Sequence, residues 1–289
     1  MKSLSTETNQ MNMQLLNIGC GSVFHPAWTN IDMASFSPDV QSYDLRKGLP
    51  YANNYFDVCY SSHVIEHLTI DEVKFHLKEA LRVLKPKGII RVVVPDLEGI
   101  VREYLRLLEL VEVGVKEAEA DYDWMMLELY DQNVRSFTGG EMGKFLNSPD
   151  LKNKEFILSR IGKEAEQFWD EQTAKEKRTI WEKIKSKKIS WYMENLQSKL
   201  LLILAKSIAG KKGKMALEEG LFRNSGEIHR WMYDRFSLRR LLENAGFVDV
   251  RVCRADESGI PNFNSYELDT IAGKIRKPDS LFMEAIKPG

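Results

Sequence analysis

The chain has 289 residues, 43% hydrophobic and 29% charged, which excludes a disordered polypeptide and allows one large domain or two smaller ones. Forty-one basic against 42 acidic residues leave a formal net charge of −1, so no general affinity for polyanions is expected. Three cysteines, Cys20, Cys59 and Cys253, are too few and odd in number for a disulfide framework and fit a reducing compartment.

Residues 1–13 are polar and lack the apolar stretch of a signal peptide, so they read as a flexible N-terminus. The longest apolar run, Leu200 to Ala205, is far short of the ~20 residues that span a bilayer, and the cytoplasm is the expected location. Short apolar runs follow: 15–20, ending in Gly-Cys-Gly; 28–32, ending in Asp32; 40–45; 56–64; and 89–95, nearly continuous Val and Ile and so a buried central strand. Residues 70–88 carry Val73, Leu77, Ala80, Leu81 and Leu84 at helical spacing and end in Lys-Pro-Lys-Gly, read as a basic last turn with breakers. Alternating strands and helices predict a parallel sheet with crossovers. Only about nine residues separate the first two runs, near the minimum for a crossover, so a loop or a very short helix is expected there.

From 98 the pattern turns helical. Residues 100–115 and 123–137 read as helices, and 151–209 is charged and poor in glycine, with a stripe of Ile189, Met193, Leu196, Leu200, Ile203 and Ser207. Residues 236–250 give a helix closed by Gly246 and then a strand, and 280–288 a last strand. Charge is uneven: 98–131 holds three basic and ten acidic residues, 173–215 twelve basic and three acidic. The organisation expected is a core of 14–97 and 228–289 with a helical insertion or cap at 98–227.

The turn Gly19-Cys20-Gly21-Ser22 lets the backbone come close to a ligand. Asp32, at the end of the next strand, can accept both hydroxyls of a ribose, and Asp44-Leu45 can take an adenine amino group and ring face. A dinucleotide fingerprint needs a third glycine and a helix for the phosphates; here that glycine is missing and the crossover is too short to offer much helix, so a nucleoside ligand fits better. His63, Glu66 and His67 spell H-x-x-E-H, an inverted zinc-protease pattern, but at the end of a strand rather than within a helix.

In order, LNIGCGS, NIDM, YDLRKGLPYANNYFDVCYSSHVIEHL, ALRVLKPKGIIRVVVPD and AGFVDV…SLFMEAIKP resemble the motifs of class I S-adenosylmethionine-dependent methyltransferases of the type 11 kind, nearest the bacterial glycan-associated branch. The resemblance covers roughly 14–97 and 228–288. It implies a Rossmann-like α/β fold with a seven-stranded sheet and a large helical insertion, and methyl transfer from S-adenosylmethionine to a sugar oxygen of a glycan or its precursor. It also implies that Gly19, Cys20 and Gly21 lie under the methionine part of the cofactor, Asp32 holds the ribose, Asp44 and Leu45 the adenine, and Ser62 and His63 flank the methionine. Asn17 stands where the family often has an acid.

Several residues carry two readings. His229 and His63 are candidate proton acceptors with Asp234 beside them; alternatively His229 packs against Trp231 and Tyr233, and Asp234 caps the helix after it. Tyr130, Asp131 and Arg135 either line the acceptor pocket or form a solvated face. Some small-RNA and quinone-pathway methyltransferases resemble the 63–67 stretch and bind a divalent metal there, which would make Glu66, His67 and His229 ligands; otherwise Glu66 and His67 only start the helix. The basic segment 173–215, with Trp191, Tyr192 and Lys206, Lys211, Lys212 and Lys214, is a solvated surface or, over 189–214, an interfacial helix touching the inner membrane face. No RNA-binding module accompanies it. A non-catalytic binding or scaffold protein of the same fold is the remaining alternative.

Overall fold

The computed structural model describes residues 13–35, 37–177 and 189–289, with the side chains of 173–198 outside that description. The first run forms β1 (Leu15–Ile18), fully buried, and the next two form β2 (Thr29–Asp32) and β3 (Val40–Ser42). No helix joins β1 to β2; turns do, as the short spacing required. The third run ends at Ser42, and Asp44 caps a single 3-10 turn, Leu45–Lys47. After β4 (Phe56–Ser62) comes α1 (Ile70–Val83), opened by a reciprocal capping box of Thr69 and Glu72.

α1 ends at Val83, and the Lys-Pro-Lys-Gly expected in its last turn belongs to β5 (Leu84–Pro95). Pro86 biases Lys85 towards extended backbone, so the helix stops before it. The pairing shifts here from Phe56 with Leu84 to Val58 with Ile89, and the bulge takes up the extra residues.

The helical stretch comprises α2 (Leu97–Glu112), α3 (Glu119–Val134), α4 (Gly140–Leu146), α5 (Lys154–Ile161), α6 (Lys163–Lys177) and α7 (Ile189–Arg223). Then come α8 (Arg235–Ala245), β6 (Val248–Cys253), the two-residue strands β7 (Thr270–Ile271) and β8 (Lys274–Ile275), and β9 (Ser280–Ile286). The seven-stranded sheet runs β3-β2-β1-β4-β5-β9-β6, parallel except for β9, which is antiparallel to both neighbours.

Among the described residues three apolar clusters hold these elements. One face of the sheet packs under α1 and α8 through Val73, Leu77, Leu238 and Leu242. The other is covered by the loop after β6, where Ile260, Phe263 and Leu268 meet Trp28 and Tyr60. The third lies among α2–α6, around Trp124, Met125, Ile157 and Ile161. The loop over the second face is tied down by Arg91, fully buried, whose guanidinium donates to Asp269 at 2.7 Å, Glu284 at 2.9 Å and the Arg254 carbonyl at 3.0 Å. A buried charge of this kind persists only because every donor finds a partner.

Candidate functional site

Ligands of open parallel sheets sit beyond the carboxyl ends of the strands, where the order reverses. Here that point lies between β1 and β4. The Gly19 and Cys20 amides donate to the Ile31 carbonyl at 2.8 and 3.2 Å, and the Gly21 amide to Asp32 Oδ2 at 2.8 Å, so the turn is bound to the end of β2. Gly19 and Gly21 have φ of 69° and 51°, in the left-handed region. Their reasons differ. A Cβ on Gly19 would stand 2.3 Å from Val64 Cγ2, whereas one on Gly21 would meet nothing within 4 Å. The close approach that demands glycine at position 19 is therefore to Val64.

A cavity of about 360 Å³ opens beside this turn, at the small end of the range for organic ligands. Gly19, Cys20, Gly21, Ser62 and His63, which the resemblance puts around the methionine part of the cofactor, line it. Asp32, Asp44 and Leu45 do not. Asp32 borders the turn, Asp44 pairs with Arg46 at 2.8 Å, and Leu45 is buried in the core under α1. Two observations suit a nucleoside cofactor with an amino-acid tail. Each Asp32 oxygen accepts only one backbone amide, from Gly21 and Ala34, leaving lone pairs for ribose hydroxyls. Asn17, which lines the cavity, has a buried Oδ1 with no hydrogen-bond partner, an acceptor for an ammonium.

The opposite wall comes from residues that sequence reasoning missed: Lys163, Glu164 and Gln167 on α6, and Asp269, Arg276 and Lys277 around β7 and β8. Gly162 brings them together. Its φ is 50° and a Cβ there would strike the Arg276 carbonyl at 2.6 Å; without one, the Lys163 amide donates to that carbonyl at 2.8 Å. Glu164 and Lys277 then pair at 2.9 Å. The Lys277 charge holds the Glu164 carboxyl down at about 2, and Glu164 in turn outweighs the burial that would lower Lys277. Asp269 accepts from Tyr60 Oη and Arg91 Nε, while burial pushes its carboxyl up. Burial and the nearby Asp32 push the Cys20 thiol up to about 11, so it is no nucleophile near neutral pH.

His63 joins the cavity to a buried polar cluster behind it. Its φ of 54° turns the chain out of β4, its Nε2 lies 2.9 Å from Ser280 Oγ, and its Nδ1 lies 3.2 Å from Glu66 Oε1. Burial and the Lys277 charge keep the imidazole below its ordinary value and so neutral at pH 7. Burial alone would raise Glu66, which is wholly buried, but His63 together with His67 and His229 outweighs that and holds the carboxyl low. Neither Glu66 oxygen completes an aligned hydrogen bond.

Glu66, His67 and His229 each bring one ligand atom within 4.8 Å of the others. The two imidazoles meet edge to face at 4.7 Å, His67 Nδ1 lies 3.1 Å from the Ile228 carbonyl, and His229 Nδ1 is buried with no partner among the described residues.

The other expected site residues are employed elsewhere. His229 does not line the cavity, and burial lowers its imidazole to about 3, too weak a base to take a proton from an acceptor. Asp234 is the N-cap of α8: its Oδ1 accepts from the Phe236 and Ser237 amides at 2.9 and 2.7 Å. Asp131 accepts from Arg135 at 2.6 Å and from the Glu141 amide at 2.7 Å, and Arg135 reaches Glu227 at 3.4 Å. That clasp binds α3 to α4; Tyr130 is 55% exposed beside it, and none of the three lines the cavity. Trp191 and Tyr192 lie outside the described side chains.

Residues 27–92 match the methyltransferase-domain family. No curated protein matches the chain. Among solved structures it is similar to the [4+2]-cyclase SpnF, at 26% identity over 28% of this chain and 38% of that one, with a TM-score of 0.23. A SAM-dependent methyltransferase of Archaeoglobus fulgidus gives 12% identity over 95% and 86% of the two chains and a TM-score of 0.35. One of Thermotoga maritima gives 13%, 95% and 82%, and 0.36. The chain thus spans well under half of the SpnF chain. The family match supports a methyltransferase in general terms, and the seven-stranded sheet agrees with it.

Proposed function

We propose that the chain transfers the methyl group of S-adenosylmethionine to a hydroxyl oxygen of a sugar, in a bacterial glycan or its precursor. The observation that carries the cofactor is the Gly19–Gly21 turn tied to Asp32, beside a cavity at the switch point of the sheet. Support for a sugar comes from the resemblance of the motifs and from the far wall, where Lys163, Glu164, Gln167 and Arg276 offer donors and acceptors suited to a polyhydroxylated acceptor.

The cofactor supplies an electrophilic methyl; the chain must orient an acceptor oxygen towards it and receive the proton that oxygen sheds. His63 is the residue for that. Glu66 facing Nδ1 favours the tautomer with its proton there, which leaves Nε2 free to accept. Ser280 Oγ, at 2.9 Å from Nε2, holds the ring in place until an acceptor arrives. Glu66 and Ser280 are positioning residues. The test is calorimetric binding of S-adenosylmethionine and S-adenosylhomocysteine to the protein and to Asp32→Ala, followed by methyl transfer to glycan precursors. Binding lost in Asp32→Ala is expected; a folded protein that binds neither compound overturns the reading and favours a binding or scaffold role.

The geometry of Glu66, His67 and His229 favours a second reading, in which methyl transfer is metal-assisted, as in RNA- or quinone-type enzymes. Two imidazoles and a carboxylate suit zinc or another divalent transition metal, and the Ile228 carbonyl at His67 Nδ1 leaves Nε2 for the metal. Metal content of the purified protein and of Glu66→Ala separates the readings: stoichiometric metal, lost in Glu66→Ala, favours the second.

A further inference from the structure

Helix α7 presents a surface that methyl transfer does not use. Leu200, Leu201, Ile203, Leu204 and Ile208 are 53%, 49%, 61%, 56% and 85% exposed. At ~100° per residue they share one face about 160° wide. A single exposed leucine needs no explanation, but five contiguous aliphatic side chains do. None belongs to any of the three cores. Lys199, Lys206, Lys211, Lys212 and Lys214 accompany them, and no acidic residue occurs from 199 to 217. Lys214 reaches Glu218 at 3.4 Å; the other four make no ion pair among the described residues. Ala209 and Gly210 leave helical geometry, dividing the aliphatic stretch from the lysine-rich one that follows.

We propose that this face of α7 lies in the interfacial layer of a bilayer containing anionic lipids. The helix does not span: among the described residues no helix is long and apolar enough to cross a membrane. Aliphatic side chains entering the acyl boundary while lysines stay among the headgroups is the arrangement of interfacial helices. Charge argues against the other occupants. A second copy of α7 would bring two lysine-rich stretches together with no carboxylate between 199 and 217 to meet them. RNA would answer the lysines but not the leucines, which neither stack on bases nor bind phosphate. An anionic bilayer answers both.

The proposal is independent of the catalytic reading and suits an acceptor that is itself anchored to lipid. The experiment is flotation of the full chain with vesicles of phosphatidylcholine alone and with added phosphatidylglycerol. Two variants are carried alongside, Leu204→Glu/Ile208→Glu and Lys211→Glu/Lys212→Glu. Circular dichroism and calorimetry with S-adenosylmethionine check their folding and cofactor site; all these positions are exposed, so neither should change. The wild type should float with the anionic vesicles only. The first variant should not float. The second should bind at least ~25-fold more weakly, since each lysine near an anionic surface contributes about fivefold. Three results overturn the proposal: no flotation, equal flotation with neutral vesicles, or flotation untouched by Leu204→Glu/Ile208→Glu. A concentration-dependent dimer that the same variant dissolves, without vesicle binding, assigns the face to a second copy instead; salt-sensitive RNA binding without flotation assigns it to RNA.

Discussion

Replacing Gly19 by alanine tests how the turn after β1 is built. Two effects add. At φ 69° an L-residue loses about 1–2 kcal/mol relative to glycine. The new Cβ would also stand 2.3 Å from Val64 Cγ2, on a short branched side chain that cannot swing aside, and overpacking of this kind costs about 1–3 kcal/mol. Gly19→Ala should therefore destabilise the protein by about 2–5 kcal/mol. Gly21→Ala, at φ 51° with open space around its Cβ, should lose only the conformational part, about 1–2 kcal/mol. Val64→Ala should cost about 1–2 kcal/mol alone but return the overpacking part in combination with Gly19→Ala. The assay is urea denaturation of the four variants and a double-mutant cycle between positions 19 and 64. A coupling energy below ~0.5 kcal/mol, within ordinary additivity, would refute the contact with Val64 as the reason for glycine. Equal effects of Gly19→Ala and Gly21→Ala would refute it too.

Other consequences follow from the same geometry. His63→Gln should lower kcat by ~100-fold or more, the lower end for loss of a general base, and Glu66→Gln should move the acid limb of the kcat profile to lower pH, because Glu66 raises the His63 value; an unshifted profile would exclude Glu66 as its partner. Arg91→Met leaves Asp269 and Glu284 buried without their cation and should cost about 3–5 kcal/mol by denaturation, with weaker binding of S-adenosylmethionine as the covering loop loosens. His76, buried in α1, is held at about 4 by burial against 6.5 when exposed. Its contribution is complete above pH 6.5 and is lost as pH falls through about 4, a difference of about 3 kcal/mol. His76→Leu should flatten the acid limb of the stability curve by that amount, and an unchanged slope would count against it.

The sheet was legible because each strand is a short apolar run closed by a turn residue, and because the ten residues between β1 and β2 form no helix. The end of α1 differs from the expected basic last turn at Lys85–Gly88: Pro86 acts one residue earlier and sends the chain into β5. The Gly19–Gly21 turn and its tie to Asp32 were legible because glycine, serine and an acid lie close in sequence. The polar cluster was half legible: His63, Glu66 and His67 are neighbours along the chain, but Ser280 lies 217 positions from His63 and nothing in its surroundings marks it. Asp131 and Arg135 misled for the opposite reason. Acid and arginine four apart on an apolar helix look like a ligand site, yet here they serve the start of α4, whose Gly140 has room for no side chain beside Asp131.

The two walls of the cavity differ in origin, and that difference bears on where acceptor choice lies. The family match ends at residue 92, so it takes in Ser62 and His63 but none of Lys163, Glu164, Gln167, Arg276 or Lys277. The second wall depends on one backbone contact, Gly162 against Arg276, and one ion pair, Glu164 with Lys277. His63 stands between the walls, tied to Ser280 at the start of β9, three residues beyond Lys277, and facing Glu66 on the other side. An imidazole held from both sides can keep its place while the far wall changes its side chains. Exchanging Glu164, Gln167 and Arg276 should therefore alter which hydroxyl is accepted, while Asp32 and the glycine turn retain the cofactor.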